Sequence, residues 1–210
     1  MSINSTKQKI LDAAEQLFAE RGFADTSLRM ITGVAEVNLA SVNYHFGSKK
    51  ELIKAVMDRY LSVFMPAAEQ ALLQQLAAPH SNLHQVFGCF VAPLMTLTRV
   101  HPRGPEVFLQ LLGRGYIDNQ GFLRWFIINH YGSVLNHFNQ AIQAAAPHLS
   151  PADLFWRLHF TLGTVVFTMA SSDALRDIAQ TDFNEEIDIE GLVHKLIPYL
   201  AAGVAASPTE

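Results

Sequence analysis

The chain has 210 residues, of which 50% are hydrophobic and only 16% charged, where an ordinary soluble domain is nearer a quarter charged. A chain this apolar buries a sizeable core, which excludes disorder, and its greasiest run, Phe160 to Ala170, is shorter than the roughly 18 residues that a membrane-spanning helix needs. The net charge of −4 argues against nucleic acid as a partner of the whole chain, but it hides an asymmetry: residues 1–60 hold eight Lys or Arg against seven Asp or Glu, and the remaining 150 hold seven against twelve.

Met1 to Lys9 is polar and lacks the apolar core of a signal peptide, and Cys89 is the only cysteine, so no intrachain disulfide forms and a cytoplasmic protein without a membrane partner is expected. Almost every segment reads helical, with no run of alternating β-branched residues and no Asn-Gly or Asp-Gly hairpin signal. Ser5-Thr6-Lys7-Gln8 has capping-box spacing and opens a helix whose Ile10, Ala13, Leu17 and Phe18 share one face, ended by Gly22. Ser27 caps a short second helix to about Ala35, and Asn38 caps a third from Leu39 to His45, ended by Gly47. Ser48-Lys49-Lys50-Glu51 is a second capping box at the head of a long helix towards Leu76. Five more helices are predicted: about Asn82 to Thr98 with Pro93 as a kink, about Glu106 to Arg114, about Gly121 to Ala146, one starting at Ser150-Pro151, and Glu190 to Ala205. The expectation is an all-α fold of about nine helices: a three-helix helix-turn-helix head (1–48), a connecting helix (49–76) and a larger ligand-binding and dimerisation body (77–210).

Two short helices joined by a tight turn suggest a helix-turn-helix. In the second of them Leu39, Val42 and Phe46 recur at helical spacing and are expected to point inward, which leaves Ala40, Ser41, Asn43 and Tyr44 outward. A solvating face would favour Lys and Glu; this one is small enough for a major groove, with an amide for a base edge and a phenol for a phosphate. Lys49 and Lys50 stand in a first helical turn, where the dipole disfavours cations, and phosphate binding supplies a reason. Thr26 and Ser27 mirror them before the second helix, and Arg29 is within reach of a phosphate or a guanine.

The run from Thr26-Ser27-Leu28-Arg29 through Val37-Asn38-Leu39-Ala40-Ser41-Val42-Asn43-Tyr44-His45-Phe46-Gly47-Ser48-Lys49-Lys50 resembles the DNA-binding head of the tetracycline-repressor (TetR) family, and Ile10-Leu11-Asp12-Ala13-Ala14-Glu15-Gln16-Leu17-Phe18 matches it as well. That resemblance implies phosphate contacts from Thr26, Ser27, Tyr44, His45 and Lys49, and places Arg29, Ala40, Ser41 and Asn43 near bases; Asn38 and Lys50 complete the candidate set. One departure is the turn Ala35-Glu36-Val37, where the family commonly has glycine. A left-handed Glu36 there costs roughly 1 kcal/mol.

The body is read as a ligand and dimer domain. Trp125 to Ala152 contains no Asp, Glu, Lys or Arg. On its helix Asn129, Ser133, Asn136 and Gln140 form an uncharged stripe, expected to be partly buried against a cavity or partner. Eleven of the fourteen phenylalanines lie beyond residue 60. The candidate effector residues are Phe108, Arg114, Phe122, Arg124, Phe126, Asn129, Ser133 and Phe167. The helix after Pro151 is apolar nearly all round, so Phe160, Gly163 and Phe167, with Leu192, Leu196 and Leu200 of the last helix, are the candidate homodimer seam. Arg124-Trp125-Phe126 and the head sequence are similar to the PsrA-type regulators of fatty-acid degradation, which implies a long-chain fatty acid or acyl-CoA as effector. Another hydrophobic compound acting on an efflux or stress operon is the alternative. A helical protein-interaction module leaves the small outward face unexplained. His80 and His84 have the spacing of a shared helix face but lack a third ligand, and no phosphate loop or nucleophile elbow occurs. No metal, cofactor or enzymatic activity is therefore expected. The sum is a ligand-responsive repressor that binds a pseudo-palindromic operator as a homodimer, its two recognition helices about 34–36 Å apart.

Overall fold

A computed structural model describes residues 3–117 and 121–207. Among them are eleven α-helices, one 3₁₀ turn and no strand. The helices are α1 (Ile3–Arg21), α2 (Leu28–Ala35), α3 (Leu39–Phe46), α4 (Lys49–Ala77), α5 (Leu83–Gly88), α6 (Val91–Met95), α7 (Gly104–Ile117), α8 (Gly121–Ala145), α9 (Pro151–Ala170), α10 (Ser172–Phe183) and α11 (Ile189–Ala205). The all-α reading holds, with two predicted helices divided. The segment from Asn82 to Thr98 becomes α5, α6 and a 3₁₀ turn at Thr96–Arg99, and the helix from Pro151 breaks at Ser171 (φ −104°, ψ 12°) into α9 and α10. His80 lies outside any helix, at φ 61°, so it shares no helix face with His84. None of the helices is long and apolar enough to cross a membrane, among the described residues.

The chain forms two compact units, Met1–Ser62 with Gln110–His130 and Val63–Leu109 with Tyr131–Glu210. In the first, α1 packs on α2 and α3, and α2 on α3. The core is Ile10, Ala14, Phe18, Phe23, Ile31, Val42, Leu52 and Val56, all fully buried, with Phe18 edge-on to Phe23 at 5.1 Å. Leu39 departs from expectation. It stays 41% exposed while Val42 and Phe46 are buried. Arg59 of α4 meets Glu15 at 2.9 Å and Asp12 at 3.0 Å on α1. Glu15 is 6% exposed, and next to it Tyr60 is fully buried. Burial, and then the Glu15 carboxylate, push the Tyr60 phenol well above its ordinary range.

In the second unit α11 packs on α5, α6 and α9, and α10 on α9. Asn82 closes a full capping box with Gln85, and Ser150 caps α9 ahead of Pro151. Arg157 donates to the carbonyls of Val204 and Ala206, which ties α9 to the C-terminal end of α11. Five phenylalanines cluster: Phe64 on Phe90 and Phe108, and Phe138 on Phe87 and Phe90, with centroids 5.2–6.5 Å apart. Burial pushes the half-buried Cys89 thiol up to about 11. Arg103 and Arg176 both pair with Asp173, and hydrogen bonding, chiefly from Arg176, holds the Asp173 carboxyl below its usual range.

Replacing Arg59 leaves a buried carboxylate without its cation. Arg59→Ala is expected to lower the unfolding free energy by about 2–3 kcal/mol, less than for a fully buried pair because Arg59 keeps some contact with solvent. An unchanged urea midpoint would contradict the structural role of the pair.

Candidate nucleic-acid interface

The first unit holds α3 by its ends and its inner face. Asn38 caps the start: its Oδ1 accepts from the Ser41 amide at 2.8 Å and from the Ser41 hydroxyl at 3.0 Å. Gly47 closes the other end at φ 73°, donating to the Asn43 carbonyl. With Val42 and Phe46 buried, Ala40, Asn43 and Tyr44 are exposed, Tyr44 at 77%. Ser41 and His45 are half-buried, and His45 lies edge-on to Tyr44 at 5.1 Å. The outward face is therefore small and neutral, as its residue types imply, with Leu39 as an apolar margin.

The flanking residues divide. Ser27 caps α2, accepting from the Met30 amide at 3.2 Å, and Arg29 is exposed in that helix's first turn. Thr26 is corrected: its side chain is fully buried, and its hydroxyl donates to the carbonyls of Gly22 (2.8 Å) and Leu17 (3.1 Å), so it braces the end of α1 and is no surface donor. At the start of α4, Ser48 accepts from the Glu51 amide, while the Glu51 carboxylate turns to Lys54 at 2.8 Å. Lys49 donates to the Ala24 carbonyl at 3.3 Å, and Lys50 is exposed with its ammonium 5.8 Å from the Phe122 ring centroid. The turn before α3 is made by a left-handed Glu36 (φ 53°, ψ 46°) whose amide donates to the Thr32 carbonyl, and its side chain is exposed.

Three of the candidate effector residues belong to the same unit in other roles. Arg114 donates to the Glu20 carbonyl at 3.2 Å, a C-terminal cap on α1. Phe122 faces Lys50. Phe126 lies against His130, ring centroids 4.4 Å apart and planes tilted by 40°. Arg124 and Asn129 are exposed. In the second unit Phe108 is buried against Phe64, whereas Ser133 is exposed and Phe167 is 65% exposed. The uncharged stripe Asn129, Ser133, Asn136 and Gln140 is thus exposed along its length in the single chain, not buried, because the core side of α8 is taken by Val134, Ala141 and Ile142. Of the predicted seam, Phe160 is 66% exposed and Gly163 opens onto empty space. Leu192 and Leu196 are half-buried. Leu200 is corrected: it is buried with Ile197 and Val204, the stripe that α11 turns into its own unit.

Residue-type reasoning missed the approach of residues 110–130 to the head. A Cβ at Gly115 would lie 2.8 Å from Leu123 Cδ2 and 3.8 Å from Phe23 Cε2. Gly113 inside the predicted helix and Gly115 just past its end are the signal that marks such close packing.

Residues 10–56 match the family described as bacterial regulatory proteins, tetR family, and residues 88–203 match the tetracyclin repressor-like C-terminal domain. The chain belongs to the TetR family. TetR-family proteins are DNA-binding transcriptional regulators, not enzymes. Among relatives, the chain is 36% identical over 67 residues (32% of each chain) to the probable HTH-type transcriptional regulator YttP of Bacillus subtilis (strain 168). It is 25% identical over 140 residues, 67% of this chain and 61% of the relative, to the HTH-type transcriptional regulator SrpR of Pseudomonas putida. The chain spans less than two thirds of the length of the curated relatives it matches. Among solved structures, the crystal structure of a HlyIIR mutant protein, with residues 169–186 replaced by a linker, matches over 100% of both chains at TM-score 0.56 and 20% identity, a likeness of fold.

Glycine at the left-handed position removes the Cβ clash. Glu36→Gly is expected to stabilise the protein by about 1 kcal/mol, raising the melting temperature by about 2–4 °C. A lower melting temperature would contradict a strained turn.

Proposed function

We propose that this TetR-family protein is a repressor that binds a pseudo-palindromic operator as a homodimer and is released by a hydrophobic effector, a long-chain fatty acid or its CoA ester. The observation that carries the DNA reading is the outward face of α3. Asn43 is the base-reading amide, Ala40 and Ser41 leave room in the groove, and Tyr44 and His45 lie towards the phosphates. Ser27, Asn38, Lys49 and Lys50 stand at the three helix starts around it, and Arg29 adds a forked donor for a phosphate or a guanine.

Support for a second copy comes from α9 and α11. Trp156, Phe160, Gly163 and Phe167 lie at steps of four, three and four along α9, all exposed. Leu192, Leu196, Tyr199 and Gly203 repeat those steps on α11, with Tyr199 at 66% exposure. Each stripe carries a glycine with open space in front of it, and neither carries a charge. Two adjacent helices with such seams suit an isologous four-helix contact with a second copy.

The effector reading rests on the resemblance and on the phenylalanine cluster of the second unit, where Phe64, Phe90 and Phe138 are only half-buried. Each methylene an acyl chain buries there contributes about 0.8 kcal/mol before binding costs. Switching the dimer from 99:1 to 1:99 needs about 5.5 kcal/mol of differential binding between its two states. α4, α7 and α8 each contribute residues to both units and are the elements through which the signal passes.

The test is a gel-shift titration against a duplex recovered by selection. Asn43→Ala is expected to lose about 1–3 kcal/mol of base discrimination, while Lys49→Ala weakens all duplexes alike and lowers the salt slope by about 1. Unchanged binding by both variants would overturn the interface.

A further inference from the structure

Residues Gln110–His130 belong to the same compact unit as the helix-turn-helix. Three contacts hold them there: Leu123 and Phe23 close over Gly115, Arg114 caps α1 at the Glu20 carbonyl, and the half-buried Phe122 ring faces the exposed Lys50 ammonium at 5.8 Å. The first two fix the backbone around the ring, so in the Phe122–Lys50 pair the ring is the anchored partner and the lysine the adjustable one.

Two lysines near the start of α4 are treated in opposite ways. Lys54 is neutralised by Glu51 at 2.8 Å. Lys50 meets a π face, which attracts the cation without cancelling its charge or consuming its N–H donors. A lysine on a flexible four-carbon stem loses rotamer freedom when it settles on a phosphate, and a contact that restrains it beforehand lowers that cost. A first-turn cation is also disfavoured by the helix dipole, and the electron-rich ring offsets part of this.

We propose that Phe122 is a positioning residue for DNA binding: it holds the Lys50 ammonium, still charged, ready for a backbone phosphate. The proposal rests on the reading of Lys50 as a phosphate contact. It also gives α8 a direct hold on the interface, because Phe122 is the second residue of that helix, which continues past a kink at Tyr131 (φ −131°, ψ 23°).

The experiment measures operator affinity of the full chain across a salt series for Phe122→Leu, Phe122→Tyr, Lys50→Ala and the double variant Lys50→Ala/Phe122→Leu. Phe122→Leu keeps the apolar bulk and removes the π face, so about two- to fivefold weaker binding per head is expected, with the salt slope unchanged. Phe122→Tyr binds like the unaltered protein. Lys50→Ala weakens binding and lowers the salt slope, and adding Phe122→Leu to it changes nothing further. Equal loss from Phe122→Leu with and without Lys50 makes Phe122 a packing residue and overturns the proposal. So does a loss from Lys50→Ala with none from Phe122→Leu, which leaves the DNA reading standing. If Lys50→Ala binds as tightly as the unaltered protein, the reading of Lys50 fails and the proposal with it.

Discussion

The burial of Val42 and Phe46 sets the rotation of α3, and the function follows from that rotation. Their side chains are 0% and 9% exposed, and burying them contributes about 1.5–3 kcal/mol each. A turn of α3 about its axis would expose them and cost that contribution. Once they are inside, Ala40, Asn43 and Tyr44 have to face outward. The caps at Asn38 and Gly47 then fix where the helix begins and ends, so that a short, neutral surface is presented at a defined position. The strained Glu36 is tolerated because its cost is small beside the core that the turn allows to form.

The low charge of the chain has two destinations. Part of it is core: the phenylalanine cluster of α4, α5, α7 and α8 and the Ile197–Leu200–Val204 stripe of α11. The remainder faces outward on α9 and α11, where Trp156, Phe160, Phe167 and Tyr199 are each more than half exposed. Burying large aromatic side chains is strongly favourable, which is why the proposed reading covers these two helices with a second copy. The first part of the charge-free stretch of α8, Trp125 to His130, lies in the head's own unit.

What was legible in the sequence was local. Ser27 and Asn38 were identifiable as caps because a capping side chain bonds an amide two or three residues on, and Gly47 as a terminator because its backbone conformation excludes most side chains. The outward residues of α3 followed from a period of 3.6 applied to eight residues. What was not legible depended on distant partners. Thr26 looks like a surface hydroxyl until the carbonyls of Leu17 and Gly22 are found around it. Arg114 looks like an effector contact until the end of α1 is found beside it, at the Glu20 carbonyl. Leu200 and Leu196 belong to one apolar helix, and only the position of α5 and α9 decides which turns inward. The break around Phe90 falls between Gly88 and Pro93, beside the proline read as a kink, whereas the break at Ser171 carries no proline or glycine, so the helical pattern ran through it.

The central claim is that two copies of the α3 face read one DNA site. Selection of bound fragments from a random duplex library by the purified protein tests it directly. The account predicts enrichment of an inverted repeat whose half-sites are centred about one helical turn, or a whole multiple of it, apart. A pool with no enriched sequence, or with a single half-site lacking its inverted mate, would contradict it.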